Sequence, residues 1–229
     1  MKFPSKDIHC HILPGVDDGF QSAEDSSKAL KAFVDNGCAE VVFTPHLNPD
    51  VYPDSDEAKL RSAFEGFKSS VPEGIDVSLT AEYMVVDGFE NRAGDESLLT
   101  WPDKTILIEM SYLYDSPNLE QTIFNFVMEG YQPVLAHPER YVFLQNKSGR
   151  RLLSKYCEMG CRLQMNLLSA TGAYGKGSLE TMEFLLENDL YSFAASDLHS
   201  LEQLSRILSL GVHPKIQKRF RKSRFAELM

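Results

Sequence analysis

The sequence has few cysteines, and their spacing indicates neither a zinc knuckle nor a disulfide framework. The four are Cys10, Cys38, Cys157 and Cys161. Three of them lie in or beside apolar runs, where small buried thiols are common. We therefore expect no disulfide bonds and no cysteine-ligated metal site.

Long apolar runs are also missing. No segment approaches the roughly 20 apolar residues that a membrane-spanning helix needs, and the opening stretch MKFPSKDIHC has no apolar signal-peptide core. We expect a protein that has no membrane span and works in the cytoplasm.

Positive charge is scarce over most of the chain, whose 33 acidic and 23 basic residues give a net charge of −10. Residues 1–214 carry 17 basic and 32 acidic side chains, a balance of −15, because six basic residues lie near the end of the chain: Lys215, Lys218, Arg219, Arg221, Lys222 and Arg224. Such a body disfavours nucleic-acid binding. We interpret the basic helix expected at about 214–229 as a solvated surface, with contact to an acidic partner or membrane surface as the minor alternative.

Apolar, strand-like runs alternate with helical segments along the chain. Strands are expected at about 6–11, 40–44, 76–81, 105–109, 132–136, 161–166 and 190–196. Ser22, three residues before Asp25, and Ser116, before Pro117, are expected to cap helices. Since no repeat or linker interrupts this order, it predicts a single α/β domain over 1–229. A (β/α)7 barrel is favoured over an open doubly wound sheet, because polar residues follow so many strands.

Five of the six histidines follow these strands in short motifs. They are His9 and His11 in DIHCH, His46 in TPH, His137 in AHPER and His199 in SDLH. Because alternate residues of a strand face the same side, His9 and His11 point the same way, as do Asp197 and His199. The carboxyl ends of parallel barrel strands share one rim, so these side chains are expected to meet there.

Carboxylates occur at the same positions along the chain. Asp17 and Asp18 follow the first strand, and Glu82 and Glu109 end two later ones. One such residue alone is more often a satisfied polar group, but nine on one rim would repel each other or lose hydration without a cation. Imidazole and carboxylate together suit manganese, iron or zinc. The sequence therefore predicts a hydrolase with several metal ions.

The motifs DIHCHILPGVDDG, TPH, a strand-ending Glu, ILIE, AHPERY and SDLH, in this order, resemble those of the PHP (polymerase and histidinol phosphatase) superfamily. Within it, the chain is similar to the manganese-dependent bacterial protein-tyrosine phosphatases encoded with capsule and exopolysaccharide genes. The resemblance runs from Asp7 to His199. It implies a distorted, TIM-like (β/α)7 barrel of the PHP fold that holds three divalent metal ions, with Mn expected and Fe or Zn as alternatives.

The resemblance also implies nine metal ligands. His9, His11, Glu82 and Asp197 would hold the first ion, Glu82, Glu109 and His137 the second, and Asp18, His46 and His199 the third. Asp17 competes with Asp18, which is preferred as the second acid of the family's DDG. Asp87 is the nearest competitor of Glu82.

Two residues are implied as catalytic, Arg140 and His199. The planar guanidinium of Arg140 would bind the phosphate, although pairing with Glu139 or another rim acid is the alternative. Arg206 lies slightly later than the second arginine of the family. The implied reaction is hydrolysis of phosphotyrosine by a metal-activated hydroxide, and no Cys-x5-Arg loop offers a thiol route.

The implied partner is a phosphotyrosine protein, in particular the tail of a bacterial tyrosine kinase that controls capsule or exopolysaccharide synthesis. Two alternatives stay open. One is a phosphatase of a small metabolite such as histidinol phosphate, and the other is a metal-stabilised, non-catalytic partner of a kinase. A C–N hydrolase is disfavoured because it would usually show a strand-ending lysine. The sequence leaves the oligomeric state open.

Overall fold

The computed structural model describes residues 4–209, which form an α/β unit of nine short strands and six helices. The strands are β1 (Lys6–Cys10), β2 (Glu40–Phe43), β3 (His46–Leu47), β4 (Asp76–Leu79), β5 (Glu82–Met84), β6 (Thr105–Glu109), β7 (Gln132–Ala136), β8 (Arg162–Asn166) and β9 (Tyr191–Ala195). The helices are α1 (Ala23–Asp35), α2 (Glu57–Phe67), α3 (Leu119–Met128), α4 (Lys147–Glu158), α5 (Gly175–Glu187) and α6 (Leu201–Ser209). The helix expected at about 214–229 lies outside these residues. None of the helices in 4–209 is long and apolar enough to cross a membrane.

All strand pairs are parallel, and they form two sheets, in the orders β1-β2-β4 and β3-β5-β6-β7-β8-β9. The strands predicted at 40–44 and 76–81 are each followed by a second short strand, β3 and β5, that joins the other sheet. Between β2 and β3 lies Pro45, which has no N–H for the ladder. There, the Thr44 hydroxyl accepts a hydrogen bond from the backbone N–H of Cys10 (3.1 Å). The described chain therefore has nine strands in two sheets where seven strands in one barrel were predicted.

The first and last strands also contact each other. Just beyond β9, the N–H of Asp197 donates to the carbonyl of His9 (2.8 Å), and the N–H of His11 donates to the carbonyl of Leu198 (2.9 Å). At the other end of β1, the Asp7 carboxylate accepts from the backbone N–H (2.9 Å) and the hydroxyl (2.5 Å) of Ser196. These contacts join the two sheets along one side, while the strand pairing itself stays in two sheets.

Helix α1 begins where the sequence predicts, because the Ser22 side chain accepts from the N–H of Asp25 (3.2 Å). Its buried positions, which include Ala29, Leu30 and Phe33, recur at helical spacing and face the core. The cap predicted at Ser116 is wrong. Helix α3 begins at Leu119, and the Ser116 hydroxyl instead donates to the carbonyl of Val85 (3.2 Å).

Candidate metal centre

The end of β1, the start of β5 and the loop after β9 bring four buried side chains together. They belong to His9, His11, Glu82 and Asp197. None is more than 1% exposed. Three segments that are far apart in the sequence therefore converge on one point.

Four atoms of these side chains lie close to one another. His9 Nε2 is 3.2 Å from His11 Nε2, 3.3 Å from Glu82 Oε2 and 3.3 Å from Asp197 Oδ1. His11 Nε2 is 3.3 Å from the same Glu82 oxygen and 3.4 Å from the same Asp197 oxygen. Atoms at the corners of a tetrahedron with such edges lie roughly 2.0 Å from its centre, the distance at which imidazole and carboxylate bind zinc. The four atoms can therefore surround one cation.

Two of these atoms lack a hydrogen-bond partner within residues 4–209. They are Glu82 Oε2 and Asp197 Oδ1, both fully enclosed by protein. A buried carboxylate oxygen without a donor is costly, and native structures rarely leave one unpaired. A cation bound between the two oxygens would satisfy both, so these residues fit a metal ion.

The other nitrogen of each histidine contacts a neighbouring acceptor. His9 Nδ1 lies 2.9 Å from Gln164 Oε1, and His11 Nδ1 lies 2.7 Å from Asp17 Oδ2. Because both partners accept, each Nδ1 carries the proton and each Nε2 presents its lone pair to the centre. Asp17 also accepts from the N–H of His46 (3.1 Å). Its carboxylate thus orients His11, and Asp18 is the acid that joins a group of potential ligands.

Two further groups of potential ligands adjoin the first. One comprises His46, Glu82 and Glu109, and the other comprises His11, Asp18, His46 and His199. His46 Nδ1 lies 3.1 Å from Glu82 Oε2 and 2.9 Å from Glu109 Oε1. Asp18 Oδ1 lies 3.4 Å from His46 Nε2 and 3.6 Å from His199 Nε2. His46 therefore belongs to both groups, to the one with Glu109 through Nδ1 and to the one with Asp18 through Nε2.

His137 does not join the group around Glu109, where the resemblance implied it. Its Nε2 lies 2.9 Å from Glu82 Oε1, and its Nδ1 is buried without a hydrogen-bond partner in the described chain. His137 and Asp197 have φ angles of 34° and 50°, in the left-handed region that residues other than glycine rarely adopt. Such conformations cost roughly 1–3 kcal/mol and concentrate at functional sites.

The buried carboxylates and imidazoles shift each other's titration. Burial alone would lower the pKa of His9, yet the adjacent Glu82 and Asp197 raise it. Burial alone would raise the pKa of Glu82 and of Asp197, yet His9, when it is protonated in the absence of a metal ion, and other neighbouring basic groups hold both well below the usual range. The carboxylates therefore stay ionised, and the centre attracts positive charge.

His199 lies where a neutral imidazole is favoured. Burial, together with His11, lowers the pKa of His199 to about 4. Its Nδ1 lies 2.9 Å from the carbonyl oxygen of Asp197, so Nδ1 carries the proton and Nε2 presents a lone pair. This state suits a metal ligand.

Arg140 lies at the edge of the centre and contacts two tyrosine rings. Its guanidinium carbon is 4.4 Å from the ring centroid of Tyr112 and 4.2 Å from that of Tyr174. Its Nη1 donates to Asp197 Oδ2, so Arg140 bonds one oxygen of that carboxylate while the other faces His9. The pairing of Arg140 with a rim acid, an alternative raised by the sequence, thus occurs with Asp197.

Glu139 and Arg206 contact other residues. Glu139 is buried, and its carboxylate accepts from the N–H of Asn166 (2.9 Å) and the hydroxyl of Tyr191 (2.8 Å). Arg206 is exposed on α6 and pairs with Glu202 (2.7 Å). Glu139 therefore has a structural role, and Arg206 lies on the surface.

A cleft of about 1050 Å³ opens onto the centre. Its lining includes the potential ligands Asp18, His46, Glu109 and His199, together with Arg140, Tyr112 and Tyr174. A phosphate group that enters the cleft would meet both the ligand groups and the arginine.

The thiols lie apart from this chemistry. All four cysteines are free, and Cys10, which interrupts the His9–His11 pair, donates to the carbonyl of Val42 (3.5 Å). Burial raises the pKa of Cys38 to about 12 and that of Cys157 to about 11. These thiols are protonated near neutral pH and are poor nucleophiles.

Sequence reasoning missed two residues that orient the ligands. Gln164 bonds His9, and Asn166 donates from Nδ2 to Asp197 Oδ2 (2.7 Å). Both belong to β8, in the run RLQMN. Two amides at alternate, fully buried positions of a strand share one face. That pattern is a signal that could have revealed them.

Comparison with known proteins gives consistent matches. The family model described as capsular polysaccharide synthesis, CpsB/CapC, matches residues 5–229. Tyrosine-protein phosphatase YwqE of Bacillus subtilis (strain 168) is 33% identical over 199 residues, which cover 86% of this chain and 78% of that protein. Tyrosine-protein phosphatase CpsB of Streptococcus pneumoniae is 30% identical over 205 residues, which cover 86% and 83% respectively.

Solved structures match as well. One matched chain comes from the crystal structures of YwqE from Bacillus subtilis and CpsB from Streptococcus pneumoniae, described as unique metal-dependent tyrosine phosphatases. The match has a TM-score of 0.81 at 29% identity and covers 97% of this chain and 90% of the matched chain. A phosphotriesterase homology protein from Escherichia coli, solved with phosphate in its active site, gives 0.55 at 11% identity, with 100% and 96% covered. That second likeness concerns the fold alone.

Proposed function

This chain belongs to the CpsB/CapC family of capsular polysaccharide synthesis, and on that premise we propose that it is a metal-dependent tyrosine-protein phosphatase. The observation that carries the proposal is the set of four buried atoms around one point, two of them carboxylate oxygens without a donor. The relatives bear the name tyrosine-protein phosphatase. That name favours phosphotyrosine over a small-metabolite phosphate, and catalysis over a purely regulatory role.

We assign nine metal ligands and up to three ions to this centre. The ligands are His9, His11, Asp18, His46, Glu82, Glu109, His137, Asp197 and His199. Three adjoining groups, which together contain eight of these residues, support the number of ions. His137 is proposed as the ninth ligand because it lies beside Glu82, 2.9 Å from Oε1. Imidazole and carboxylate donors without thiolate suit manganese, iron or zinc. Among these we favour manganese because the motifs resemble those of manganese-dependent phosphatases.

Divalent cations bound here would supply Lewis acidity and a hydroxide nucleophile at neutral pH. The contribution of the chain itself is to bind and orient the ester. Arg140 has N–H groups beyond the one that Asp197 uses, and these can grip phosphoryl oxygens in the cleft. A tyrosine phenolate, with a pKa of about 10, leaves with little help from an acid. His199 can therefore take part in catalysis as a neutral metal ligand and need not donate a proton.

The proposed substrate is a phosphotyrosine protein, in particular the tail of a bacterial tyrosine kinase that controls capsule or exopolysaccharide synthesis. The family description supports the link to capsule, and we place the reaction in the cytoplasm. We also propose that the two sheets form one distorted (β/α)7 barrel within a single domain over 1–229. The hydrogen bonds that join β1 to the end of β9 support closure.

The test of function is phosphate release from phosphotyrosine peptides and p-nitrophenyl phosphate with added manganese. We expect activity that EDTA abolishes and manganese restores. Alkylation by iodoacetamide at pH 7.5 should leave activity intact, because the raised thiol pKa values keep the reactive thiolate scarce until the pH approaches 11. Cys157→Ser should be fully active. Activity that survives EDTA, or that is lost in Cys157→Ser with metal retained, contradicts the proposal.

Metal binding has an independent readout in thermal unfolding. Manganese, zinc or iron should raise the Tm of metal-free protein, because a ligand that binds only the folded state stabilises it. Elemental analysis should find up to three ions per chain. No metal and no gain in Tm would refute the centre itself.

A further inference from the structure

We propose that Tyr112 and Tyr174 are positioning residues that hold Arg140 for phosphate binding, an inference that rests on the proposed phosphatase function. The central carbon of the guanidinium lies over both rings, 4.4 Å and 4.2 Å from their centroids. The Arg140 side chain is only 17% exposed. Two aromatic rings and the Asp197 carboxylate therefore fix the position of the guanidinium.

The two rings come from different loops and are held independently of the arginine. Tyr112 follows β6, and its ring packs on His137 and Tyr141, with centroids 5.6 Å and 5.9 Å away. Tyr174 precedes α5, and its hydroxyl accepts from Asn166 Nδ2 (3.3 Å). The rings therefore form a slot that exists before the phosphate arrives.

The chemistry of guanidinium makes such a slot useful. Its five N–H donors lie in one plane, and Nη1 already bonds Asp197. A free arginine side chain would lose much rotamer freedom on binding an anion, and a side chain that is already ordered loses less. The slot also favours arginine over lysine, because an ammonium has no planar faces to stack.

Tyr174 offers the cleaner test of the two, since Tyr112 also touches His137. The full-length protein, loaded with manganese, would be prepared as wild type, Tyr174→Leu and Tyr174→Phe. Each would also be made in an Arg140→Ala background. Calorimetry gives the Kd of inorganic phosphate, p-nitrophenyl phosphate gives KM and kcat, and elemental analysis gives the metal content.

We expect Tyr174→Leu to raise the phosphate Kd and the KM about 3- to 10-fold, which is the usual range for one lost cation–π contact. Metal content should not change. Tyr174→Phe keeps the ring and should stay within twofold of wild type. In the Arg140→Ala background, Tyr174→Leu should add less than twofold. Phe124→Leu removes an aromatic ring that is 55% exposed on α3 and does not line the cleft. It is the control and should leave both constants unchanged.

Three results overturn the inference. They are an equal loss from Tyr174→Leu with and without Arg140, a loss from Tyr174→Phe as large as from Tyr174→Leu, or no phosphate binding by the wild type. The proposed function fails separately. If the wild type releases no phosphate from aryl esters yet binds phosphate in a manner that depends on Tyr174 through Arg140, the positioning role stands and the enzyme assignment falls.

Discussion

His137 and Arg140 lie three residues apart but contact different parts of the centre, so their replacements should fail differently. His137→Ala removes an imidazole from Glu82 and should lower metal content and turnover together. Arg140→Ala should keep the metal, because Asn166 still donates to the Asp197 oxygen that Arg140 leaves. It should nevertheless lose ~2–4 kcal/mol of transition-state stabilisation, which lowers kcat/KM roughly 30- to 1000-fold.

The measurement is kcat/KM beside metal stoichiometry for both variants. Arg140→Lys should recover only part of the loss, since it offers charge without the planar fork. Full activity in Arg140→Ala would make Arg140 a structural residue. Arg206, which lies on the surface of α6, would then be the next arginine to test.

Gln164 should act on metal affinity without touching the metal. Its Oε1 accepts from His9 Nδ1 (2.9 Å) and so keeps the Nε2 lone pair directed at the centre. Losing such a partner typically costs 10- to 100-fold in metal affinity, and we expect this for Gln164→Leu in a competition assay with a chelating dye. Gln164→Glu, which keeps an acceptor, should bind at least as tightly as wild type. Equal metal affinities of Gln164→Leu and Gln164→Glu would show that the amide does not orient His9.

At the scale of single residues, the motifs named eight of the side chains that the structure brings together in groups of potential ligands, but not the amides that orient them. Asp18 was preferred over Asp17, and the structure places Asp18 with His46 and His199 while Asp17 orients His11. The group of His46, Glu82 and Glu109 was not predicted. The position of β3 brings His46 to Glu109, and no spacing of motifs in the sequence shows this contact. An amide such as Gln164 acts through one hydrogen bond that exists only in the folded state, so the sequence alone gives little indication of its role.

Helix α4 depends on a glycine at its first turn. A Cβ at Gly149 would lie 2.3 Å from Leu144 Cα, in the backbone of the preceding turn, whereas a Cβ at Gly66 in α2 meets nothing within 4 Å. We expect Gly149→Ala to destabilise the fold by ~1–3 kcal/mol through overpacking. Gly66→Ala should stabilise it by about 0.5–1 kcal/mol through helix propensity. Urea unfolding gives the free energy of unfolding of both variants. Equal changes in the two would mean that the backbone near Leu144 shifts to accept the added Cβ without loss of stability.

At the scale of elements, strands that stay within one sheet were predicted well, whereas a strand that is divided between two sheets was not. The strands expected at 105–109 and 132–136 have those bounds in the structure. The strand expected at 40–44 resumes as β3 after Pro45, in a different sheet. Local pattern shows that a strand forms, but which neighbour it pairs with depends on tertiary contacts that a short run does not encode.

At the scale of the whole molecule, Asp7 joins the first strand to the last. It is fully buried, and burial raises its pKa to about 6 despite two hydrogen bonds from Ser196. Asp7→Ala leaves the Ser196 groups unpaired and should cost ~2–4 kcal/mol of unfolding free energy. Asp7→Asn is neutral, keeps the shape and can still bond Ser196, so it should cost less than half as much in denaturant titrations. Equal losses in both variants would show that the carboxylate charge itself is needed.

The same contact spans 189 residues of sequence. The four atoms proposed to hold the first metal ion are likewise spread over the described chain, from His9 near its beginning to Asp197 near its end. A ribosome that has made His9, His11 and Glu82 still has over a hundred residues to add before Asp197 emerges. The nascent chain therefore carries an incomplete chelator for most of its synthesis. Tight metal capture becomes a late event, possible only once β9 has docked beside β1, and a chain truncated before residue 197 should not retain metal.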